Sequence, residues 1–408
     1  MTEIRTQPGP ERRPLEGRHV VLGVCGSIAA FKAADLCSKL RQAGATVEVV
    51  MTPAATQFVT PLTFQSLSGR DVVVDMFTAG EPEAHVEVAR RADALVIAPA
   101  TADCLANLAH GQTPDMVTLT ALATAAPVLV APAMDNQMWE HAATQANVST
   151  LRERGVTFAG PVSGRLASGR TGAGRMSEVP EIVGALRAML GAHDGDLRGR
   201  HIVVSAGGTR EPIDPVRFIS NRSSGKMGYA IAEAARDRGA RVTVVSTVEA
   251  VPALYGAAIV PVASVAEMRR AVLDACTDAD VLVMAAAVSD FTPLHPSQQK
   301  IKKGEGGMLL ELAKNASFLP EVPDSVFKVG FAAETEDVIE NARRKPLSHG
   351  HLNLICANDV SAADAGFAVD TNRVTIIDPA DGNAEELPLM SKYAVGHAIL
   401  DRVAARLT

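Results

Sequence analysis

The chain of 408 residues is too long for one ordinary core and suits two domains of about 200 each. Its 47% hydrophobic and 21% charged residues allow two substantial cores, and its net charge of −7 argues against nucleic acid as the main partner. The five cysteines (Cys25, Cys37, Cys104, Cys276 and Cys356) are scattered, and no CxxC motif or Cys/His cluster appears. Neither a disulfide framework nor a zinc site is therefore expected. With no secretory signal and no apolar run of 18 residues, a cytoplasmic enzyme away from membranes is expected.

Residues 1–14 are rich in proline and charge, and are expected to be disordered. Val20 to Val24 then reads as a buried strand, followed by Gly26-Ser27 and an amphipathic helix over 28–42. Gly44 closes that helix and residues 46–51 form the next strand. Ser27 is placed to cap the helix, where neighbouring N–H groups face a phosphate. Two further apolar strands run into Ala98-Pro-Ala-Thr-Ala-Asp103 and Ala131-Pro-Ala-Met-Asp-Asn-Gln-Met-Trp139. Three strand ends then converge on one crevice. Residues 191–200 are polar and glycine-rich and mark the domain boundary, giving domains at 15–190 and 201–408.

The second half repeats the rhythm, with strands at 202–204 and 241–246 and a helix over 226–238. Gly44-Ala-Thr-Val-Glu-Val-Val is echoed by Gly239-Ala-Arg-Val-Thr-Val-Val, and Ala92-Asp-Ala-Leu-Val-Ile-Ala by Ala279-Asp-Val-Leu-Val-Met-Ala. The fold class expected is α/β, with two doubly wound, mostly parallel-sheet Rossmann-like domains. Between strand and helix, residues 205–228 form a long polar loop of glycines, hydroxyls and cations. Its spacing is neither the dinucleotide fingerprint nor a Walker loop, so the residues alone support only generic phosphate binding.

The string Ser220-Asn-Arg-Ser-Ser-Gly-Lys-Met-Gly228 closely resembles the signature of phosphopantothenate–cysteine ligases, the second half of the bifunctional flavoproteins of coenzyme A biosynthesis. Ala285-Ala-Ala-Val-Ser-Asp290, Lys300-Ile-Lys-Lys303, Gly330-Phe-Ala-Ala-Glu-Thr335 and Cys356-Ala-Asn-Asp-Val360 continue the resemblance in order. It implies activation of the 4′-phosphopantothenate carboxylate by CTP with Mg²⁺, then attack by cysteine on the acyl-cytidylate. Asn221 and Lys300 take catalytic positions under it. Met284, Ala285, Ala286, Asp290, Lys300, Ala316, Ser317, Phe318, Leu319, Phe331, Lys345 and His349 meet the nucleotide, and Asp290 the metal. The family pairs the lysine matched by Lys345 with another four residues on, where this chain has His349.

The first half resembles the FMN-dependent phosphopantothenoylcysteine decarboxylases, from Gly26-Ser-Ile-Ala-Ala-Phe-Lys32 through Thr60-Pro-Leu62, His85, the 98–103 and 131–139 strings, to Gly172-Ala-Gly-Arg-Met176. That resemblance places FMN at Gly26, Ser27, Thr52, Ala100 and Thr101, with His85 as catalytic base. A cysteine carboxylate has no electron sink of its own, and flavin oxidation of its thiol supplies one. Two positions depart from the family pattern. Asp135 stands in an asparagine slot with Asn136 beside it, and Ser168 stands where the family has a proton-donating cysteine. A hydroxyl is a far weaker acid than a thiol.

The expected function is therefore ligation of 4′-phosphopantothenate with cysteine, then decarboxylation to 4′-phosphopantetheine. Three other readings stay open: a ligase with an impaired decarboxylase half, a flavin decarboxylase for another cysteine substrate, and a non-catalytic flavin- or nucleotide-binding regulator. The resemblance also implies a homo-oligomer, with trimers of the first domain joined by dimers of the second.

Overall fold

The computed structural model describes residues 12–76, 84–166, 169–250, 253–303, 307–334, 351–359, 366 and 369–407. One compact unit runs from Arg13 to His193 and another from Asp194 onward.

In the first unit, strands β1 (His19–Val24), β2 (Thr46–Met51) and β3 (Val72–Val73) alternate with helices α1 (Ala30–Gln42), α2 (Pro61–Ser68) and α3 (Ala84–Arg91). Then come β4 (Ala94–Ala100), α4 (Ala102–His110), α5 (Met116–Ala123), β5 (Val128–Pro132), α6 (Asn136–Glu140), α7 (Ala142–Glu153) and β6 (Thr157–Phe158). The six strands form one parallel sheet in the order β3-β2-β1-β4-β5-β6. Val20, Val21, Leu22, Leu95, Val96 and Ile97 are wholly buried, because helices cover both faces and leave no polar side for alternation. A hairpin, β7 (Val162–Arg165) and β8 (Thr171–Arg175), stands apart from the sheet, and α8 (Val179–Asp194) follows. Helix α1 starts at Ala30 rather than Ile28, whose side chain is exposed.

The second unit uses the same plan. It contains β9 (His201–Ala206), a ribbon of β10 (Arg210–Pro212) and β11 (Phe218–Ser220), α9 (Lys226–Asp237), β12 (Arg241–Ser246), β13 (Ala257–Pro261), α10 (Val265–Ala275) and β14 (Val281–Met284). A second ribbon pairs β15 (Phe291–Pro293) with β16 (Leu312–Lys314). The chain ends through β17 (Phe327–Glu334), β18 (Leu354–Asp359), β19 (Thr371–Asn372), β20 (Val374–Ile377), β21 (Ala384–Glu386), β22 (Met390–Ser391) and α11 (Lys392–Leu407). The large sheet has the order β13-β12-β9-β14-β17-β18-β20-β21. It is parallel through β18 and antiparallel beyond it.

In both sheets the first strand lies between the second strand and the strand that returns on its other side. Strand order reverses there, at β1/β4 and again at β9/β14, and ligands of such sheets sit beyond the carboxyl ends at that place. The predicted loop over 205–228 is not wholly irregular, because β10 and β11 pair within it. Leu197, in the stretch read as a boundary, is buried in the second core, and its N–H donates to the Arg238 carbonyl at 2.9 Å. Small residues set the helix spacing. A Cβ at Gly396 of α11 would lie 3.1 Å from the Ala230 carbonyl oxygen of α9. All five cysteines are free and buried, and among the described residues no helix is long and apolar enough to cross a membrane.

Candidate functional sites

In the first unit, the predicted flavin residues fall at the carboxyl ends of β2, β1 and β4. Thr52 follows β2, and its N–H donates to the Val24 carbonyl at the end of β1 (3.0 Å). Its hydroxyl accepts the Ala55 N–H at 3.1 Å, which turns the chain under Gly26. A Cβ on Gly26 would sit 2.6 Å from that of Ala54, so only glycine fits. Ala100 ends β4, and Thr101 caps α4 by accepting the Cys104 N–H at 3.2 Å. The remaining first-turn N–H groups of α4 make an anion-favouring end. Ser27 does not cap its helix as expected. The N-cap is Ala29, and Ser27 Oγ accepts the Ala29 N–H at 3.3 Å, closing a local turn instead.

The two adjacent residues at the end of β5 separate by task. Asp135 caps α6, its carboxylate accepting the Gln137 N–H at 3.1 Å with Arg170 at 3.8 Å. Asn136 packs its side chain on Gly172 of β8, where a Cβ would come within 2.8 Å of it. Its Oδ1 is buried with no hydrogen-bond partner among the described residues. A buried acceptor left open among the described residues calls for a donor, which a bound ligand can supply. The β8 strand is held onto this loop by the Met134 N–H, which donates to the Gly174 carbonyl at 2.9 Å.

His85, in the first turn of α3, is half-buried and makes no hydrogen bond among the described residues. Ser168 lies outside the described residues, between Leu166 and Gly169 of the hairpin tip. One anchor of that hairpin had no signal in the sequence. Glu178 accepts from Lys32 of α1 at 3.1 Å and also pairs with Arg175 at the end of β8. The Lys32 hydrogen bond holds the Glu178 carboxyl below its usual range. Lys32 sits within the Gly26–Lys32 motif, but its partner is 146 residues away.

In the second unit, a cavity of about 1030 Å³ opens at the reversal between β9 and β14. It is lined by residues 221–227, 284–290, 314–319 and 330–332, with Leu352, Asn358, Gly366, Asn372 and Lys392. Of the predicted residues, Asn221, Met284, Ala285, Ala286, Asp290, Ala316, Ser317, Phe318, Leu319 and Phe331 all line it. Lys300 does not; it is exposed. Its neighbour Ile301 is tied to the β10–β11 ribbon, donating its N–H to Asp214 at 3.2 Å and accepting from Arg217 at 2.9 Å. Lys345 and His349 lie outside the described residues.

Hydroxyls and amides join the walls. Ser205 Oγ accepts the Ala286 N–H at 3.1 Å, and Thr209 Oγ1 accepts the Ser289 N–H at 2.9 Å. The Ala287 N–H donates to the Gly207 carbonyl at 2.8 Å, while the Ala287 carbonyl accepts from Asn221 Nδ2 at 3.1 Å. The loops after β9 and β14 are thus one hydrogen-bonded body, with Asn221 fixed to it. Ser205 and Thr209 are wholly buried. Gly225 caps α9 at φ +77°, a left-handed conformation that glycine adopts without strain. Gly228 in the first turn of α9 lies against β9, where a Cβ would come within 2.7 Å of Ala206 Cβ and 2.8 Å of the Ser205 carbonyl oxygen.

Asp290 is exposed within the cavity lining, and its backbone is locked by Asn315, whose N–H donates to the Asp290 carbonyl at 2.8 Å and whose Nδ2 donates to the Ser289 carbonyl at 2.9 Å. Among the described residues no group of three His, Cys, Asp or Glu side chains is placed to hold a metal. Asp290 is the one carboxylate among the described lining residues, an oxygen donor of the kind hard cations accept. Asn358, at 8% exposure, also lines the cavity, and its Oδ1 has no partner among the described residues. It lies in a motif quoted above, yet a strand pattern gives no sign of which polar residue stays unpaired.

Comparison with known proteins places both halves. The Flavoprotein family matches residues 8–191, and the DNA/pantothenate metabolism flavoprotein C-terminal domain matches residues 197–407. The coenzyme A biosynthesis bifunctional protein CoaBC of Bacillus subtilis (strain 168) is 47% identical over 398 residues, covering 96% of this chain and 98% of the relative. The CoaBC of Mycobacterium tuberculosis (strain CDC 1551 / Oshkosh) is 43% identical over 410 residues, covering 96% and 97%. Among solved structures, the C-terminal domain of a CoaBC is 37% identical with a TM-score of 0.45, covering 52% of this chain and 98% of that one. A PPC decarboxylase mutant complexed with pantothenoylaminoethenethiol is 33% identical with a TM-score of 0.39, covering 42% and 96%. The length and level of these matches show that the chain belongs to the family of bifunctional coenzyme A biosynthesis proteins.

Proposed function

We infer that this enzyme joins 4′-phosphopantothenate to cysteine with CTP and decarboxylates the product to 4′-phosphopantetheine. The observation that carries the reading is 47% identity to a bifunctional relative across nearly the whole of both chains.

Ligation belongs to the cavity at β9/β14. Asn221 holds its amide against the Ala287 carbonyl at the edge of that cavity, beside the helix start that favours phosphate. Asp290 is the carboxylate that would hold Mg²⁺, which would offset the charge of the triphosphate. The nucleotide lies along 284–290 and 316–319, with Phe331 in the wall. Asn221 is needed to process the acyl-cytidylate when the cysteine amine attacks.

Decarboxylation belongs to the strand ends of the first unit. The residues fit FMN: Gly26 lets the turn after β1 pack closely on Ala54, α4 presents its start, and Asn136 keeps an open acceptor. Bound FMN supplies reversible oxidation of the substrate thiol. His85 takes the thiol proton. Asn136, rather than the engaged Asp135, meets the substrate's polar groups, its amide N–H being the part suited to a carboxylate. Ser168, at the position of the family's proton-donating cysteine, is the slower proton donor of the reductive half.

The enzyme works as a homo-oligomer in the cytoplasm. Val216, Phe218, Phe291, Leu294 and Leu312 are exposed on and beside the two ribbons, an apolar surface that a second copy would cover. Lys300 adjoins the same ribbons, its neighbour Ile301 being hydrogen-bonded to Asp214 and Arg217. Trimers of the first unit and dimers of the second satisfy this arrangement. Light scattering of a Phe218→Asp variant tests it: an unchanged mass would remove the ribbon surface from the assembly.

Incubation with 4′-phosphopantothenate, CTP, Mg²⁺ and cysteine, followed by mass spectrometry, tests the chemistry. CMP and 4′-phosphopantetheine are expected. Phosphopantothenoylcysteine accumulating without CO₂ loss would overturn the decarboxylase half, and no CMP release would overturn the ligase half.

A further inference from the structure

Helix α11 begins at Lys392, whose side chain is only 4% exposed and lines the cavity of the second unit. Its Nζ donates to the carbonyl oxygens of Gly366 at 2.8 Å and Val369 at 2.5 Å. Its backbone N–H donates to the Asp370 carbonyl at 2.9 Å. The Asp370 carboxylate in turn reaches Lys226 Nζ at 2.7 Å. Lys226 is the first residue of α9 and lines the same cavity. Two neighbouring helices thus each place a lysine at their first residue in one wall, joined through Asp370.

Burying an ammonium costs free energy that a neutral donor would avoid. Burial chiefly, and the charge of Lys226 next, bring Lys392 down to about 8, with Asp370 opposing. Bracing two backbone carbonyls requires only N–H donors. What the ammonium adds is a positive potential inside a cavity with low-dielectric walls, where it acts strongly on an anion.

We propose that Lys392 is a positioning residue of the ligation reaction: it braces the chain at Gly366 and Val369, orients Lys226 through Asp370, and sets the positive potential that receives a substrate phosphate. This rests on assigning the cavity to ligation. The phosphate has two sources, the nucleotide and 4′-phosphopantothenate, and separate titrations tell them apart.

The test uses the full-length enzyme with Lys392→Met, which removes charge and donors, and Lys392→Gln, which keeps amide donors and removes the charge. Asp290→Asn serves as the control for the cavity itself. CMP release is followed while CTP, 4′-phosphopantothenate and cysteine are varied in turn, and melting temperatures are recorded. Both Lys392 variants are expected to raise KM for one phosphate-bearing substrate at least tenfold, leaving KM for cysteine within twofold. Wild-type KM values in Lys392→Gln, with Asp290→Asn impaired, would overturn the role of Lys392 and spare the cavity. A uniform loss of kcat that follows a lowered melting temperature would reduce Lys392 to a structural brace and equally overturn it. Wild-type behaviour in Asp290→Asn as well would remove the cavity assignment. If Lys392→Met fails to fold, the Gln variant decides.

Discussion

Asp135 and Asn136 are neighbours in sequence with opposite hydrogen-bond states, one engaged and one open. Asn136→Ala is expected to lower decarboxylation about a hundredfold, the loss of one positioned polar contact in a water-poor site. Asp135→Ala removes a helix cap and costs about 1 kcal/mol of stability. Single-turnover CO₂ release and thermal melts separate the two effects. Sequence reasoning found this pair but not its division of labour, because the decision lies in β8, more than 30 residues downstream.

His397 gives a second prediction at this scale. It is 5% exposed, stacks edge-on against Tyr393 at 4.5 Å, and neither ring nitrogen has a hydrogen bond among the described residues. Burial, then the charges of Arg12 and Arg238, lower its pKa from 6.5 to about 4. The unfolded chain takes up this proton near pH 6.5, whereas the folded chain resists until about pH 4. Stability is therefore full above pH 6.5 and falls as the pH drops to 4, by about 3 kcal/mol from this group. Denaturant melts across that window should show the loss, and His397→Phe should flatten it. An unchanged slope in the variant would show that other groups carry the acid sensitivity.

At the scale of elements, strands followed from continuous apolar runs and helices from their apolar period. Residues 46–51 and 241–246 are strands with the expected bounds. The ribbons were illegible because three-residue strands in polar, proline-containing loops have no period to detect. Ser205 and Thr209 were equally hidden: their hydroxyls join loops about 80 residues apart, which no local window contains. The contact of α9 with β9 was legible only as a glycine. Gly228→Ala forces a methyl against backbone and is expected to cost about 2 kcal/mol while weakening CTP binding, since the helix start must move. Calorimetry with CTP and a melt would check both, and a wild-type affinity would show that the loop tolerates the shift.

At the scale of the molecule, one strand order serves two chemistries. The order alone would have placed both sites at the reversal points without naming either reaction, since a shared fold does not carry a shared activity. What distinguished them was the loop sequence at each strand end. The two sets of residues sit in separate compact units, so their losses should be separable. Asn221→Asp is expected to abolish CMP release yet decarboxylate supplied phosphopantothenoylcysteine at the wild-type rate. His85→Asn should do the reverse, with phosphopantothenoylcysteine accumulating. A ligase rate lowered more than threefold in His85→Asn would show that the units are coupled.

The burial of all five thiols acquires a meaning beyond packing once the reactants are considered. An enzyme that consumes free cysteine and releases a thiol is bathed in partners for mixed-disulfide formation. Exchange proceeds through the thiolate. Burial pushes Cys37 and Cys276 up to about 11 and Cys356 further, and the hydrogen bond that Cys104 donates to Cys25, with burial, raises Cys104. Buried thiols of this kind are poor partners for exchange with the enzyme's own substrate and product. Native enzyme held with cystine should gain no cysteine adducts by intact mass, whereas unfolded chain should gain up to five. The scarcity of reactive sulfur on this fold is, in effect, a form of chemical hygiene suited to handling sulfur.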